Sequence, residues 1–199
     1  MRRLLYSCAV LFATLAMLAA RTALGPPPQT ALPSAAAAIV SLSTTTPDTY
    51  LVQKVVDGDT IDINMNGTTT RLRLIGIDTP EVVDPRKPVQ CFGPEASAEA
   101  HKLLEHVWVR IESDAVAGTH DKYGRTLAYV FLTDGTSYNE FMIREGFAHE
   151  YDYDKQKYKY RVEFQAAQKA AQSEKKGFWS PDTCNGDTTK PAASSTARN

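Results

Sequence analysis

The run Arg71-Leu72-Arg73-Leu74-Ile75-Gly76-Ile77-Asp78-Thr79-Pro80-Glu81 constrains this chain more than any other. Its first half alternates basic and apolar residues, the pattern of a strand with one buried face. Its second half sets two carboxylates and a proline within four positions. A strand needs none of these for its own pairing, so the run reads as a strand that delivers its end to a site of chemistry. One geometric demand follows. Arg73 and Asp78 are an odd number of residues apart, and an ideal strand would put them on opposite faces, so a bend or bulge at Gly76 is required if they are to meet.

The neighbouring sequence supplies partners for that strand. Tyr50 to Val56 alternates up to Asp57-Gly58-Asp59, and Thr60 to Ile63 alternates again, which predicts a hairpin. Asn66-Gly67 is the strongest short turn signal present and predicts a second hairpin onto a strand from Thr68 to Ile77. Two prolines between Glu81 and Gln90, Pro85 and Pro88, with Asp84, Arg86 and Lys87 around them, predict an exposed loop without regular structure. Further strands are expected over Val107 to Ile111 and Ala128 to Phe131, after a turn at Asp121 to Arg125.

Helices have their own punctuation. Pro94 and Glu95 suit a first helical turn, and Ala96, Ala100, Leu103 and Leu104 form its apolar face. Ser137 and Glu140 have capping-box spacing ahead of a second helix that Gly146 stops. A third spans about Tyr160 to Lys176, with Phe164, Ala167 and Ala171 on one side. Five short strands with helices between and after them predict a mainly β α+β fold, a five-stranded OB-type barrel with three helices.

Both ends differ in composition from this core. Arg2 and Arg3 precede an apolar run from Leu4 to Ala20, which reads as an export signal over residues 1–21, either cleaved or retained as an anchor near the minimum length for spanning a bilayer. Residues 22–48 are rich in Ala, Pro and Thr and predict a disordered spacer, and residues 185–199 predict a disordered tail, leaving a domain at 49–184. Without Cys8, the exported part has Cys91 and Cys184, which favours one disulfide over two separate buried thiols. The expected location is outside the cell or in its envelope, with the membrane involved only if the signal is retained.

Charge excludes a generally basic nucleic-acid coat. Between Asp48 and Cys184 there are 17 basic and 22 acidic side chains, a net of −5, so any phosphate binding must be local.

Asp59 and Asp78 each follow a strand end where loops can bring them together, and hard carboxylates point to calcium or magnesium. An EF-hand is excluded because Asp62 stands where that loop needs glycine and Thr68 where it needs its last acid. Two carboxylates, with the Thr79 carbonyl, leave a calcium ion that takes about 6 to 8 oxygens with room for water and substrate phosphate. Glu81, stiffened by Pro80, can orient or deprotonate a water. Arg73 and Arg125 can grip a phosphate from two sides through paired hydrogen bonds, while Arg71 reads as solvated. Tyr123, Tyr151 and Tyr153 can stack on bases, and Lys122, Arg86 and Lys87 can meet neighbouring phosphates. The four histidines have no metal-ligand spacing, and neither a Ser-His-Asp set nor a glycine-rich phosphate loop is present.

Asp57-Gly58-Asp59-Thr60, Arg73 with Asp78-Thr79-Pro80-Glu81, Phe92-Gly93-Pro94-Glu95-Ala96-Ser97, and Asp121-Lys122-Tyr123-Gly124-Arg125 followed by Leu127-Ala128-Tyr129 occur in that order. Together they resemble the staphylococcal (thermonuclease) nuclease family from about Tyr50 to Trp179. The resemblance implies an OB barrel with three helices and calcium-dependent hydrolysis of DNA and RNA. It implies calcium ligation by Asp59, Asp78 and the Thr79 carbonyl, water activation by Glu81, and phosphate contacts from Arg73 and Arg125. It also matches Lys122 and Tyr123 to nucleotide-contact positions, whereas Tyr151 and Tyr153 align only with a one-residue shift. The expectation is a monomeric calcium-dependent endonuclease with DNA or RNA as its partner. The alternative is a nuclease-like OB module that binds nucleic acid or protein without cleaving.

Overall fold

The computed structural model describes residues 49–153 and 157–192. The signal segment and the spacer therefore lie outside the described residues. The first three strands, β1 (Thr49–Asp57), β2 (Thr60–Met65) and β3 (Thr68–Leu74), form an antiparallel meander in which β2 is buried from Thr60 to Ile63. Asn66 and Gly67 take φ of 54° and 85°, the left-handed pair that a two-residue hairpin turn requires, and the Asn64 side chain accepts from the Gly67 N–H at 2.8 Å.

The chain then turns at Gly76, so the strand expected to run to Ile77 is split. A two-residue strand β4 (Ile77–Asp78) pairs instead with β7 (His149–Glu150), a small ribbon absent from the sequence-based expectation. Gly76 has φ of +78°, and a Cβ there would lie 2.8 Å from both the Phe164 and Tyr158 rings. Conformation and space both demand glycine at this bend.

Helix α1 (Gly93–Leu104) leads into β5 (Trp108–Glu112), and β6 (Thr126–Phe131) follows. The strands close in the order β1-β2-β3-β6-β5, with β3 and β6 parallel and the other pairs antiparallel. The interior is filled by fully buried Val52, Ile61, Ile63, Leu72, Val109 and Val130. Helices α2 (Tyr138–Arg144) and α3 (Arg161–Glu174) add Met142, Ile143, Phe164 and Ala167 to the same core. The expected five-stranded OB barrel with three helices is present.

Two buried polar groups orient helix α2. Asn139 accepts from the Val130 N–H at 3.0 Å and donates to the Ile75 carbonyl at 2.9 Å, which fixes α2 beside the Gly76 bend. The Tyr138 hydroxyl donates to the Gly58 carbonyl at 2.8 Å and so anchors the β1–β2 turn. At the cap of α2, Ser137 Oγ accepts from the Glu140 N–H at 3.2 Å, as the spacing predicts.

Cys91 and Cys184 form a disulfide with Cα atoms 5.9 Å apart. Residues beyond Cys184 lie against the domain as far as Ala192. Thr188 Oγ1 lies 3.1 Å from His149 Nε2, Lys190 accepts from the Cys91 N–H at 2.7 Å, and the Ala192 N–H donates to Val89 at 2.9 Å. Composition suggested no packing partner, and the partner is a distant loop that sequence reading does not bring alongside. Residues 193–199 lie outside the described residues.

Candidate active site

The Gly76 bend resolves the parity problem by carrying Asp78 round to the side of Arg73. Arg73 Nη1 donates to the Leu74 and Ile77 carbonyls at 2.9 and 2.8 Å, so the guanidinium closes the bend. Its Nη2 lies 3.1 Å from Asp78 Oδ1 and 3.1 Å from Asp59 Oδ2. The β1–β2 turn aims Asp59, whose Oδ1 accepts from Thr60 Oγ1 at 2.9 Å and whose Oδ2 accepts from the Thr79 N–H at 3.1 Å. The β1–β2 turn and strand β4 thus meet on one arginine.

Glu81 leaves this cluster with its carboxylate already directed. Its Oε1 accepts from the N–H groups of Val83 and Asp84 at 2.8 and 3.0 Å. Arg125 is held differently: its Nε donates to Asp121 Oδ2 at 2.6 Å, while its own N–H donates to Asp121 Oδ1 at 2.9 Å. Asp121 was not singled out as a site residue, although its four-residue spacing before Arg125 within a turn was a usable signal.

Arg73, Asp59, Asp78, Thr79, Glu81 and Arg125 all line one open cleft of about 780 Å³. Lys122, Tyr123, Tyr151, Tyr153, Arg86 and Lys87 line the same cleft, so every expected catalytic, metal and substrate position converges on it. Tyr123 is 73% exposed, and Lys122 Nζ lies 5.1 Å from its ring centroid and 5.6 Å from that of Tyr153. The aromatic faces therefore stand open to a flat ligand with positive charge beside them. Arg86 is paired with Asp84 through two 2.8 Å bonds. Arg71 departs from expectation: instead of standing free in solvent it donates to both oxygens of Asp62, at 2.7 and 2.9 Å, on a half-exposed side chain. Sequence parity could not show that pair, because register alone places Asp62 opposite Arg71.

The electrostatics favour a cation. Burial, reinforced by the Asp59 charge and outweighing the Gly58 N–H, pushes the Asp57 carboxyl up to about 7. Displacement of water by the cleft walls, then Asp59, raises Asp78 as well, although its carboxyl reaches solvent at the cleft mouth. The sequence presents Asp57 only as part of a turn, and its burial beside Asp59 adds it to the acid cluster. Thr79 Oγ1 is buried with no hydrogen-bond partner. Hard oxygen donors, surplus negative charge and an orphaned hydroxyl fit a cation such as calcium. Among the described residues no group of three His, Cys, Asp or Glu side chains is set to hold a metal ion by itself.

A closed five-stranded barrel whose strand ends gather acids, arginines and exposed tyrosines in one cleft defines a nuclease-like protein of the OB class. The family described as "Staphylococcal nuclease homologue" matches residues 71–181. A thermonuclease of Staphylococcus intermedius is 46% identical over 132 residues, covering 66% of this chain and 76% of that protein. A thermonuclease of Staphylococcus hyicus is 45% identical over 140 residues, covering 70% and 80%. Endonuclease YncB of Bacillus subtilis is 35% identical over 129 residues, covering 65% and 60%. The chain belongs to the staphylococcal nuclease family.

Proposed function

We propose that this protein is an exported, monomeric, calcium-dependent endonuclease that hydrolyses phosphodiester bonds of DNA, RNA or both. The carrying observation is Arg73 Nη2 set 3.1 Å from each of Asp59 and Asp78 at a cleft shared with Glu81 and Arg125. Relatives named thermonuclease and endonuclease support the same chemistry.

Asp59, Asp78 and the Thr79 carbonyl are the groups that would hold calcium, which when bound supplies a hard Lewis acid to polarise a phosphoryl oxygen. Arg73 and Arg125 donate hydrogen bonds to the non-bridging oxygens and gain strength as charge builds there. Glu81 takes a proton from water as the water oxygen bonds to phosphorus and the bond to the leaving oxygen breaks. The leaving oxygen takes its proton from solvent water in the open cleft, and Glu81 returns the proton it took to solvent. Tyr123, Tyr151 and Tyr153 stack on bases, while Lys122, Lys87 and Arg86 meet flanking phosphates. Such contacts read backbone and base faces, not base edges, which supports broad substrate use.

Export is supported by Arg2, Arg3 and the apolar run that follows, together with a disulfide that suits an oxidising compartment. Among the described residues no helix is long and apolar enough to cross a membrane. The test incubates the full chain with single-stranded DNA and RNA in calcium, in magnesium and with chelator. Cleavage in calcium that chelator abolishes is expected. Binding without product would instead support the non-cleaving module.

A further inference from the structure

The loop that carries Glu81 leaves and rejoins the domain at one point, and Gln90 is the clasp. The Glu81 N–H donates to Gln90 Oε1 at 2.7 Å, and the Gln90 N–H donates to the Glu81 carbonyl at 2.9 Å. Helix α1 abuts the same point: a Cβ on Gly93 would lie 2.6 Å from Val82 Cγ1 and 3.2 Å from the Glu81 carbonyl.

Gln90 is itself held from outside the loop. The next residue, Cys91, is bonded to Cys184, and its N–H donates to Lys190 at 2.7 Å. Gln90 bridges Pro191, and Ala192 donates to Val89 at 2.9 Å, so residues 190–192 are laid as a strap along Val89 to Cys91. The disulfide and strap thus bear directly on the residue that bonds Glu81.

We propose that Gln90, seated by the Lys190–Ala192 strap and the Cys91–Cys184 bond, is a positioning residue that sets where the Glu81 carboxylate stands beside the reacting phosphate. The proposal rests on Glu81 acting as the base. A base displaced by about 1 Å can cost on the order of a hundredfold in rate, so a main-chain clasp on Glu81 controls turnover without touching substrate.

The test is a double-mutant cycle on the full chain, with single-stranded DNA as substrate: wild type, Gln90→Met, Glu81→Ala and the pair. Methionine keeps the length and removes the acceptor. Gln90→Met is expected to lower kcat by about tenfold or more, with KM changed by less than about twofold, and to add almost nothing in the Glu81→Ala background. Reduction of the disulfide in wild type, assayed below its melting transition with both thiols shown free, should reproduce the kcat loss. Equal losses in both backgrounds, a change confined to KM, or a loss that tracks thermal unfolding overturns the role of Gln90. Undiminished turnover after reduction overturns the role of the strap. A wild type that cleaves nothing removes the nuclease reading and this proposal together, whereas a cleaving wild type with an unharmed Gln90→Met variant removes the proposal alone.

Discussion

Arg73 and Arg71 sit two residues apart on β3 and have different work. Arg73 is largely shielded and spans two carbonyls and two carboxylates, whereas Arg71 makes one pair with Asp62 on the barrel surface. A phosphate-gripping arginine contributes on the order of several kcal/mol to the barrier, and about 1.36 kcal/mol is tenfold in rate. Arg73→Ala and Arg125→Ala are therefore expected to slow single-turnover cleavage by at least roughly a hundredfold, and Glu81→Gln to slow it comparably. A half-exposed pair such as Arg71–Asp62 is worth about 0.2–1 kcal/mol, so Arg71→Ala should leave cleavage nearly intact. Equal damage from Arg71→Ala and Arg73→Ala would show that the division of labour is wrong. Away from the cleft, Asp114 carries a stability signal. Its burial, which alone would raise its pKa, is outweighed by hydrogen bonds from the Lys159 N–H, the Tyr129 hydroxyl and the Val116 N–H, and the pKa falls below 3.8. A depressed carboxyl contributes stability that is complete above its unfolded value and is lost as pH falls through the folded one. Thermal unfolding of Asp114→Asn should then lie well below wild type at neutral pH, with the gap narrowing below about pH 4. A gap that stays constant into acid would refute this.

At the scale of elements, the site is made by ends and not by middles. The β1–β2 turn, the Gly76 bend and the turn before β6 each deliver one or two side chains, and the barrel beneath holds those ends in register. The disulfide works at this scale too, because it joins the start of α1 to a segment beyond α3, with 93 residues of sequence separation. Closing so long a loop restricts the unfolded chain, and loss of the bond should cost about 2–4 kcal/mol. Thermal unfolding of Cys91→Ala/Cys184→Ala against wild type measures it, and an unchanged Tm would show that the unfolded chain gains nothing when the bond is lost.

For the molecule as a whole, an acid cluster that bears unbalanced charge should fold more stably with its cation. Ligand that binds only the folded state at about 100 times its Kd adds about 2.7 kcal/mol. Calcium should accordingly raise Tm and chelator lower it, and Asp59→Ala or Asp78→Ala should abolish that response. Magnesium should raise Tm and support cleavage far less, since it demands a compact octahedron and gives up water reluctantly. A Tm indifferent to calcium at millimolar concentration would remove the metal assignment.

Local patterning determined the strands, the Asn66-Gly67 turn, three helices and the barrel class, because alternation, capping and turn chemistry act within a few residues. Motif order also marked Asp59, Asp78, Glu81, Arg73 and Arg125 as chemistry. Tertiary structure alone decided how they meet. The β4–β7 ribbon pairs residues some seventy positions apart, and two-residue strands carry no periodicity by which to be read. Gly76 was recognisable as a hinge, but the space beside Tyr158 and Phe164 that forbids a side chain there exists only after α3 has docked. The strap was missed for the same reason. Its partner is the edge of a loop, and backbone hydrogen bonds leave no mark on composition, so only the folded chain shows that residues past Cys184 reach back to the clasp on Glu81.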